Sequence, residues 1–279
     1  MNHRAVLAGV CGVLLLSDAS QSAAPQQNPT PQDAPLPRAS AFLFNGSTLI
    51  QPTSKEERDA RLREIRAQYR ASEAQKVRPW ISLAEKLGSF AGQLTGTSLT
   101  GVEIVYEGTP SLLNTRALTQ AALNGLLRPF LAEVNMVNAP VIAKERGVKV
   151  SETRRDAQGI YEGYIKLVVS MSDGTTRRVA GTVFSDGRPR LIQIKDIGLD
   201  AEFAPHMLYV VNEDKPGFIG KLGTLLGDAK VNIANFTLGR SAPGQDAIAL
   251  IEVDGAVPEA VAAAVANLPL VKHAKPLAF

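Results

Sequence analysis

Residues 206–240 set the tightest limits on what this chain can become. Leu208-Tyr-Val-Val211 is a β-branched and aromatic run that reads as a strand. Asn212-Glu-Asp-Lys-Pro-Gly-Phe-Ile-Gly220 follows it. Pro216 suits a first helical turn, where its missing N–H would be unpaired anyway, and Gly217 lets backbone approach a ligand closely. Phe218, Leu222, Leu225 and Leu226 then recur at i, i+4, i+7 and i+8, the spacing of an amphipathic helix with one buried face, closed by Gly227-Asp228. Asn212 and Asp214 are therefore expected at a helix N-terminus. Two roles stay open for them there: caps for free N–H groups, or oxygens that join backbone donors in holding the ammonium and carboxylate of an amino acid.

The periodicity continues in an ordered way. Val231 to Leu238, a turn at Ala242-Pro-Gly-Gln245, Ala247 to Val253, a helix from Pro258 to Asn267 and a last strand from Val271 to Leu277 give the order β-α-β-β-α-β. That order predicts a ferredoxin-like unit. Upstream, residues 82–95, Arg116 to Leu131 and Met136 to Arg146 have helical spacing, and Gly147 suits a left-handed helix end. Val102 to Tyr106, Tyr161 to Ser170, Thr175 to Phe184 and Arg190 to Lys195 read as strands, the last three joined by Asp173-Gly174 and Asp186-Gly187, strong hairpin signals. The expected class is α+β: a mixed helix/antiparallel-sheet domain followed by the βαββαβ unit.

With those motifs in place, residues 206–279 resemble an ACT domain, specifically the one that ends long-form D-3-phosphoglycerate dehydrogenases of serine biosynthesis. Ser82-Leu-Ala-Glu-Lys-Leu-Gly-Ser-Phe-Ala-Gly-Gln-Leu94, Asn135-Met-Val-Asn-Ala-Pro-Val-Ile-Ala-Lys-Glu-Arg-Gly147 and Val150-Ser-Glu-Thr-Arg154 resemble the domain that precedes ACT in that family. The likeness runs over roughly residues 73–279. It implies L-serine, or another small amino acid, bound between paired ACT domains of a homo-oligomer. Carried over position by position, the ligand residues are Asn212, Asp214 and Asn232, with Pro216 and Gly217 shaping the loop. The first of these positions is histidine in some relatives, and the second is aspartate here in place of asparagine. Asp214 would accept from an ammonium but, unlike an amide, has no donor for a carboxylate.

The same resemblance implies a missing half. Chemistry in the family belongs to an NAD-binding catalytic region, yet no Gly-x-Gly-x-x-Gly occurs in this sequence to bring backbone against a pyrophosphate. His3, His206 and His273 form no hydride-transfer constellation with Arg and Glu. No catalytic residue and no cofactor are expected in the chain itself. A catalytic dehydrogenase subunit is a partner the resemblance allows, with an exported or purely structural oligomerisation module as the rival reading. The only cysteine, Cys11, excludes an intramolecular disulfide, and no Cys/His spacing suits a metal. A formal charge of +3 with few aromatics gives no nucleic-acid platform.

Residues 1–24 look like a secretory leader or a spurious gene start: Arg4 precedes an apolar run that is too short for a confident membrane span, and Ser20-Gln-Ser-Ala-Ala24 offers small residues. Residues 25–53 read as a disordered linker. A charged helix and hinge are expected at 54–79, opened by the capping box Ser54-Lys-Glu-Glu57 and carrying Leu62, Ile65 and Tyr69 on one stripe. On the resemblance, an allosteric substrate-binding-like domain, of a kind that binds anionic ligands in the family, then occupies 80–204 and the ACT domain 205–279. Because residues 73–81 resemble the family's hinge and earlier residues do not, a truncated or frame-shifted start is the preferred expectation, with a cytoplasmic location. Export is the alternative. Lys144, Arg146, Arg154 and Arg155 form a basic run across a helix end and the next strand, suited to a phosphate-bearing ligand through bidentate guanidinium contacts or simply solvated.

Overall fold

The computed structural model describes residues 43–45, 48–50, 54–96, 98–156 and 159–279; the leader and most of the linker expected from the sequence lie outside them. Two compact units divide the chain, residues 1–62 and 63–279. In the first, β1 (Leu43–Asn45) pairs antiparallel with β2 (Thr48–Ile50). Helix α1 (Lys55–Gln93) begins there, with the Glu57 N–H donating to Ser54 Oγ at 3.1 Å, the first half of the expected capping box.

Within the second unit α1 continues through Pro79 without ending. The residues expected to form a hinge are helical, and what changes there is burial. Tyr69 is exposed, whereas Trp80, Leu83, Ala84, Leu87, Phe90 and Ala91 recur at three- and four-residue spacing and are buried.

After α1 come β3 (Leu99–Gly108), a short 3-10 turn (Thr109–Leu112), α2 (Thr115–Leu127), α3 (Ala139–Glu145), β4 (Lys149–Arg155), β5 (Gly163–Met171), β6 (Thr176–Val183), β7 (Pro189–Ile194) and β8 (Ile197–Glu202). The strands form one sheet in the order β4-β3-β5-β6-β7-β8. Every neighbouring pair is antiparallel except β3–β4, which is parallel because α2 and α3 intervene. The two hairpin signals form as read. Gly174 and Gly187 have φ of 78° and 79°, and Asp173 and Asp186 accept from the N–H two residues on at 2.8 and 2.9 Å.

The second sheet holds β9 (His206–Glu213), β10 (Ile233–Arg240), β11 (Asp246–Val253) and β12 (Val271–Ala278) in the order β10-β11-β9-β12, all antiparallel, with α4 (Phe218–Asp228) and α5 (Glu259–Ala266) between strands. This is the ferredoxin-like unit the sequence implied. Leu208, Val210 and Ala249 face α4 and α5 in one apolar cluster with Phe218, Leu222 and Leu226. Met207, Tyr209, Val211, Ile248 and Leu277 point the other way and join the cluster that contains Trp80, Leu87 and Phe90. The two sheets thus share a core across residue 205. Phe90 meets Tyr209 edge-on with centroids 5.9 Å apart, and Gln93 donates to Ala278 O at 2.7 Å while accepting from its N–H at 2.9 Å.

Burial at this seam has a pH signature. The Tyr209 phenol is pushed up to about 12, chiefly by desolvation, against which Arg177 acts in the opposite direction. The folded state therefore favours the neutral phenol. Its contribution is fully present below the unfolded value near 10 and is lost as pH rises through about 12. Urea midpoints measured from pH 9 to 12 should fall in the wild type and fall less in Tyr209→Phe; identical slopes would show that Tyr209 is not the group responsible.

Candidate functional site

The loop that follows β9 is built by three segments. Asn212 is the penultimate residue of β9, opposite Ala247 of β11 and Val271 of β12, and its side chain lies on the helix-facing side with Leu208 and Val210. It is 1% exposed. Its Nδ2 donates to Glu213 O at 2.8 Å, but its Oδ1 is buried with no partner. A buried amide oxygen without a donor costs about 1–3 kcal/mol, so this atom is a ready acceptor for an N–H.

The helix-capping alternative does not hold in the structure. α4 starts at Phe218, and its N-cap is Gly217, with φ 92° and no side-chain cap. Such a left-handed residue is accessible to glycine without the Cβ clash other residues meet. Asn212 belongs to the strand, with residues 213–217 between it and the helix. The first-turn N–H groups of α4 are consequently left without a side-chain acceptor, next to a glycine that leaves nothing over the backbone: a Cβ on Gly217 would meet no atom within 4 Å.

Asp214 is placed differently again. Its N–H donates to Gln245 O at 2.8 Å, and its carboxylate accepts from Arg240 Nη1 at 2.9 Å and from the Gly244 N–H at 3.4 Å. The Arg240 hydrogen bond holds its carboxyl below the usual range. Asp214 therefore ties the loop to the β10–β11 hairpin, a role the sequence did not reveal because Arg240 and the Ala242-Pro-Gly-Gln245 turn lie more than twenty positions downstream. Pro216 and Gly217 are exposed.

Asn232 does not join them. It is exposed just before β10, where its Nδ2 donates to Asp254 Oδ2 at 2.7 Å. Along β11 the register runs from Ala247, opposite Asn212, to Val253, opposite Ile233. At about 3.4 Å per residue, Asn232 and Asn212 lie about 20 Å apart at opposite ends of one sheet. A site using both residues needs a second copy of the unit.

The basic run separates as well. Lys144 and Arg146 lie at the end of α3 and just beyond it, whereas Arg154 and Arg155 close β4, a strand of 7 residues or about 20 Å. Arg154 is also engaged: it donates to Thr115 Oγ1 and stands 3.9 Å from Glu152, whose carboxylate accepts from Thr115 at 3.0 Å and Thr119 at 2.5 Å. The four cations do not form one anion pocket. Among the described residues, no group of three or more His, Cys, Asp or Glu is arranged to hold a metal. No helix among them is long and apolar enough to cross a membrane.

Comparison with known proteins matches residues 76–195 to the D-3-phosphoglycerate dehydrogenase intervening domain and residues 206–270 to the ACT domain. Proteins named D-3-phosphoglycerate dehydrogenase are similar over the same region. That of Synechocystis is 33% identical over 202 residues, 72% of this chain and 36% of the relative. Those of Bacillus subtilis and Methanocaldococcus jannaschii are each 33% identical, over 70% and 71% of this chain and 37% of each relative. The chain spans about a third of the length of the curated relatives it matches.

Proposed function

With its intervening domain at residues 76–195 and ACT domain at 206–270, this chain belongs with the C-terminal, regulatory part of the D-3-phosphoglycerate dehydrogenases, and from that premise we propose that it senses L-serine. The observation that carries the reading is the unpartnered, buried Oδ1 of Asn212 near the end of β9, together with the uncapped start of α4 that follows in the same loop. An amino acid matches that pair of deficits. Its ammonium would donate to the Asn212 oxygen, and its carboxylate would meet the N–H groups behind Gly217, where the helix end favours negative charge. Serine's small side chain suits the open space over Gly217.

The site would be completed by a second copy. β10 is an outer strand of its sheet, and Ala234, Asn235 and Leu238 along it are exposed. Two copies related by a two-fold axis perpendicular to β10 would pair these strands antiparallel, so that Asn232 at the start of one strand would approach Arg240 at the end of the other. Arg240 holds Asp214, and with it the loop. Ligand binding would then favour one relative orientation of the two ACT domains, and the core shared with the intervening domain would carry that preference onward. On this reading the chain acts in the cytoplasm through a dehydrogenase subunit or domain that uses NAD and 3-phosphoglycerate, as an allosteric element and not as the catalyst.

Calorimetric titration of the whole chain with L-serine, with D-serine and glycine as controls, tests the proposal. Saturable binding is expected in the wild type, with a loss of at least about tenfold in affinity in Asn212→Ala, the scale of one charge-assisted hydrogen bond. Absence of heat and of any shift in melting temperature at millimolar serine would leave an assembly module without a ligand.

A further inference from the structure

One charged side chain at the edge of the amino-acid site has no task there yet. Resting on that reading of the site, we propose that Arg240 sets its ligand class: the guanidinium pairs with the α-carboxylate of a bound amino acid, and amines without a carboxylate are refused. Its placement follows from register. Arg240, the last residue of β10, is directly opposite Ala247 of β11, and Ala247 is directly opposite Asn212 of β9. Residues directly opposite share a face of the sheet, so Arg240 and Asn212 flank Ala247 on the helix-facing side, two strand spacings or about 10 Å apart. Only the methyl of Ala247 lies between them in that row. The preceding residue agrees: a Cβ on Gly239 would lie 2.7 Å from Gly198 O and 2.8 Å from Ile197 Cγ2, so that position faces the other sheet and Arg240 faces away from it.

The guanidinium is only partly engaged. Its Nη1 donates to Asp214 Oδ2 at 2.9 Å, and among the described residues the Arg240 side chain makes no other hydrogen bond or ion pair. An arginine carries five N–H donors in a fixed fork, enough for a second carboxylate beside the first. The Arg240 side chain is 55% exposed against 19% for that of Asp214, so the pair is anchored on the loop side and its remaining donors are open to a ligand.

Electrostatics gives this cation its use. A ligand carboxylate at the start of α4 arrives beside Asp214, which stands three residues before the N-cap Gly217 and carries a negative charge of its own. Two carboxylates so close repel, and a helix end, equivalent to about half a positive charge, offsets only part of that. Arg240 supplies a full charge. With the ammonium on Asn212 Oδ1 and the carboxylate between α4 and Arg240, the two charges of the ligand meet groups from two different strands. An amine that lacks the carboxylate is left facing a like charge, which turns it away. Asp214 is then a positioning residue that holds the fork.

Calorimetric titration of the whole chain with L-serine and with L-serinamide, which keeps the ammonium and hydroxymethyl groups but has no carboxylate, tests this at about pH 6, where both amines are protonated. The wild type is expected to bind L-serine at least about tenfold more tightly than L-serinamide. Arg240→Gln should lose at least about tenfold in serine affinity and bind serinamide no more weakly than before, with Arg240→Lys, which keeps the charge without the fork, in between. Asp214→Asn keeps an acceptor for Arg240 and removes the competing charge, so it is expected to lose less serine affinity than Arg240→Gln. Equal serine losses in those two variants, or equal losses of both ligands in Arg240→Gln, would reduce Arg240 to a tie for the loop and overturn the proposal while the serine site stands. No saturable serine binding in the wild type would instead overturn the serine reading, and this inference with it. Should Arg240→Gln fail to fold, the serine loss in Arg240→Lys against that in Asp214→Asn decides in its place.

Discussion

Gly125→Ala is expected to cost this protein about 3 kcal/mol, although alanine is the better helix former. α1 and α2 cross with their backbones in contact, through Gly88 and Gly92 on one helix and Gly125 on the other. A Cβ at Gly125 would lie 2.0 Å from Glu85 O and 2.7 Å from Ser89 N, one at Gly88 2.1 Å from Ala122 O, and one at Gly92 2.4 Å from Leu126 O. Each obstacle is backbone in a hydrogen-bonded helix, so no rotamer change relieves it. The helices must move apart, and the move pulls on Leu83, Leu87, Leu118 and Leu126, which are almost fully buried around the crossing. The gain in propensity, about 1 kcal/mol, is smaller than the overpacking and lost dispersion. Urea unfolding of Gly125→Ala beside Gly223→Ala is the informative comparison. Gly223 lies in α4 where a Cβ meets nothing within 4 Å, so the same substitution there should stabilise by a few tenths to about 1 kcal/mol. Equal effects of the same sign at the two positions would rule out a close helix crossing.

That crossing also marks how far the sequence could be read. Gly88-Ser-Phe-Ala-Gly92 was in plain view, but its partner Gly125 sits on another helix, and periodicity identifies a buried face without saying what approaches it. What depends on neighbours along the chain was legible. The Asp-Gly hairpins, the α4 stripe and the βαββαβ order are all local patterns, and each formed within a few residues of its expected place. β8 was not read, because Ile197-Gly-Leu-Asp-Ala-Glu202 is short, lacks a β-branched run and becomes a strand through pairing with β7. At the start of α4 the sequence leaves a cap and a ligand contact both open for Asn212 and Asp214, and glycine itself takes the N-cap. The basic residues 144–155 failed as a cluster for a geometric reason: in an extended strand, closeness in sequence is separation in space. The converse holds at Asp214 and Arg240, which are far apart in sequence and brought to 2.9 Å by the fold.

The same separation makes the amino-acid site testable in an uncommon way: single variants at Asn212 and Asn232 are each expected to lose serine binding, and an equimolar mixture of the two, unfolded and refolded together, is expected to regain part of it. Neither residue reaches the other within one chain, since the sheet places them about 20 Å apart. In a two-fold dimer each site would take Asn212 from one copy and Asn232 from the other. Random re-association makes about half of all dimers mixed, and each mixed dimer carries one site with both asparagines and one with neither, so about a quarter of the wild-type sites return. Calorimetric stoichiometry reads that fraction directly, and the restored sites should show wild-type affinity, because each intact site is chemically unaltered. A site formed inside one chain predicts no recovery at any ratio. Recovery of capacity with weakened affinity would show that the two sites of a dimer are coupled, since only the partner site differs from wild type. The full quarter, bound at wild-type strength, is the outcome that a ligand shared between two copies requires.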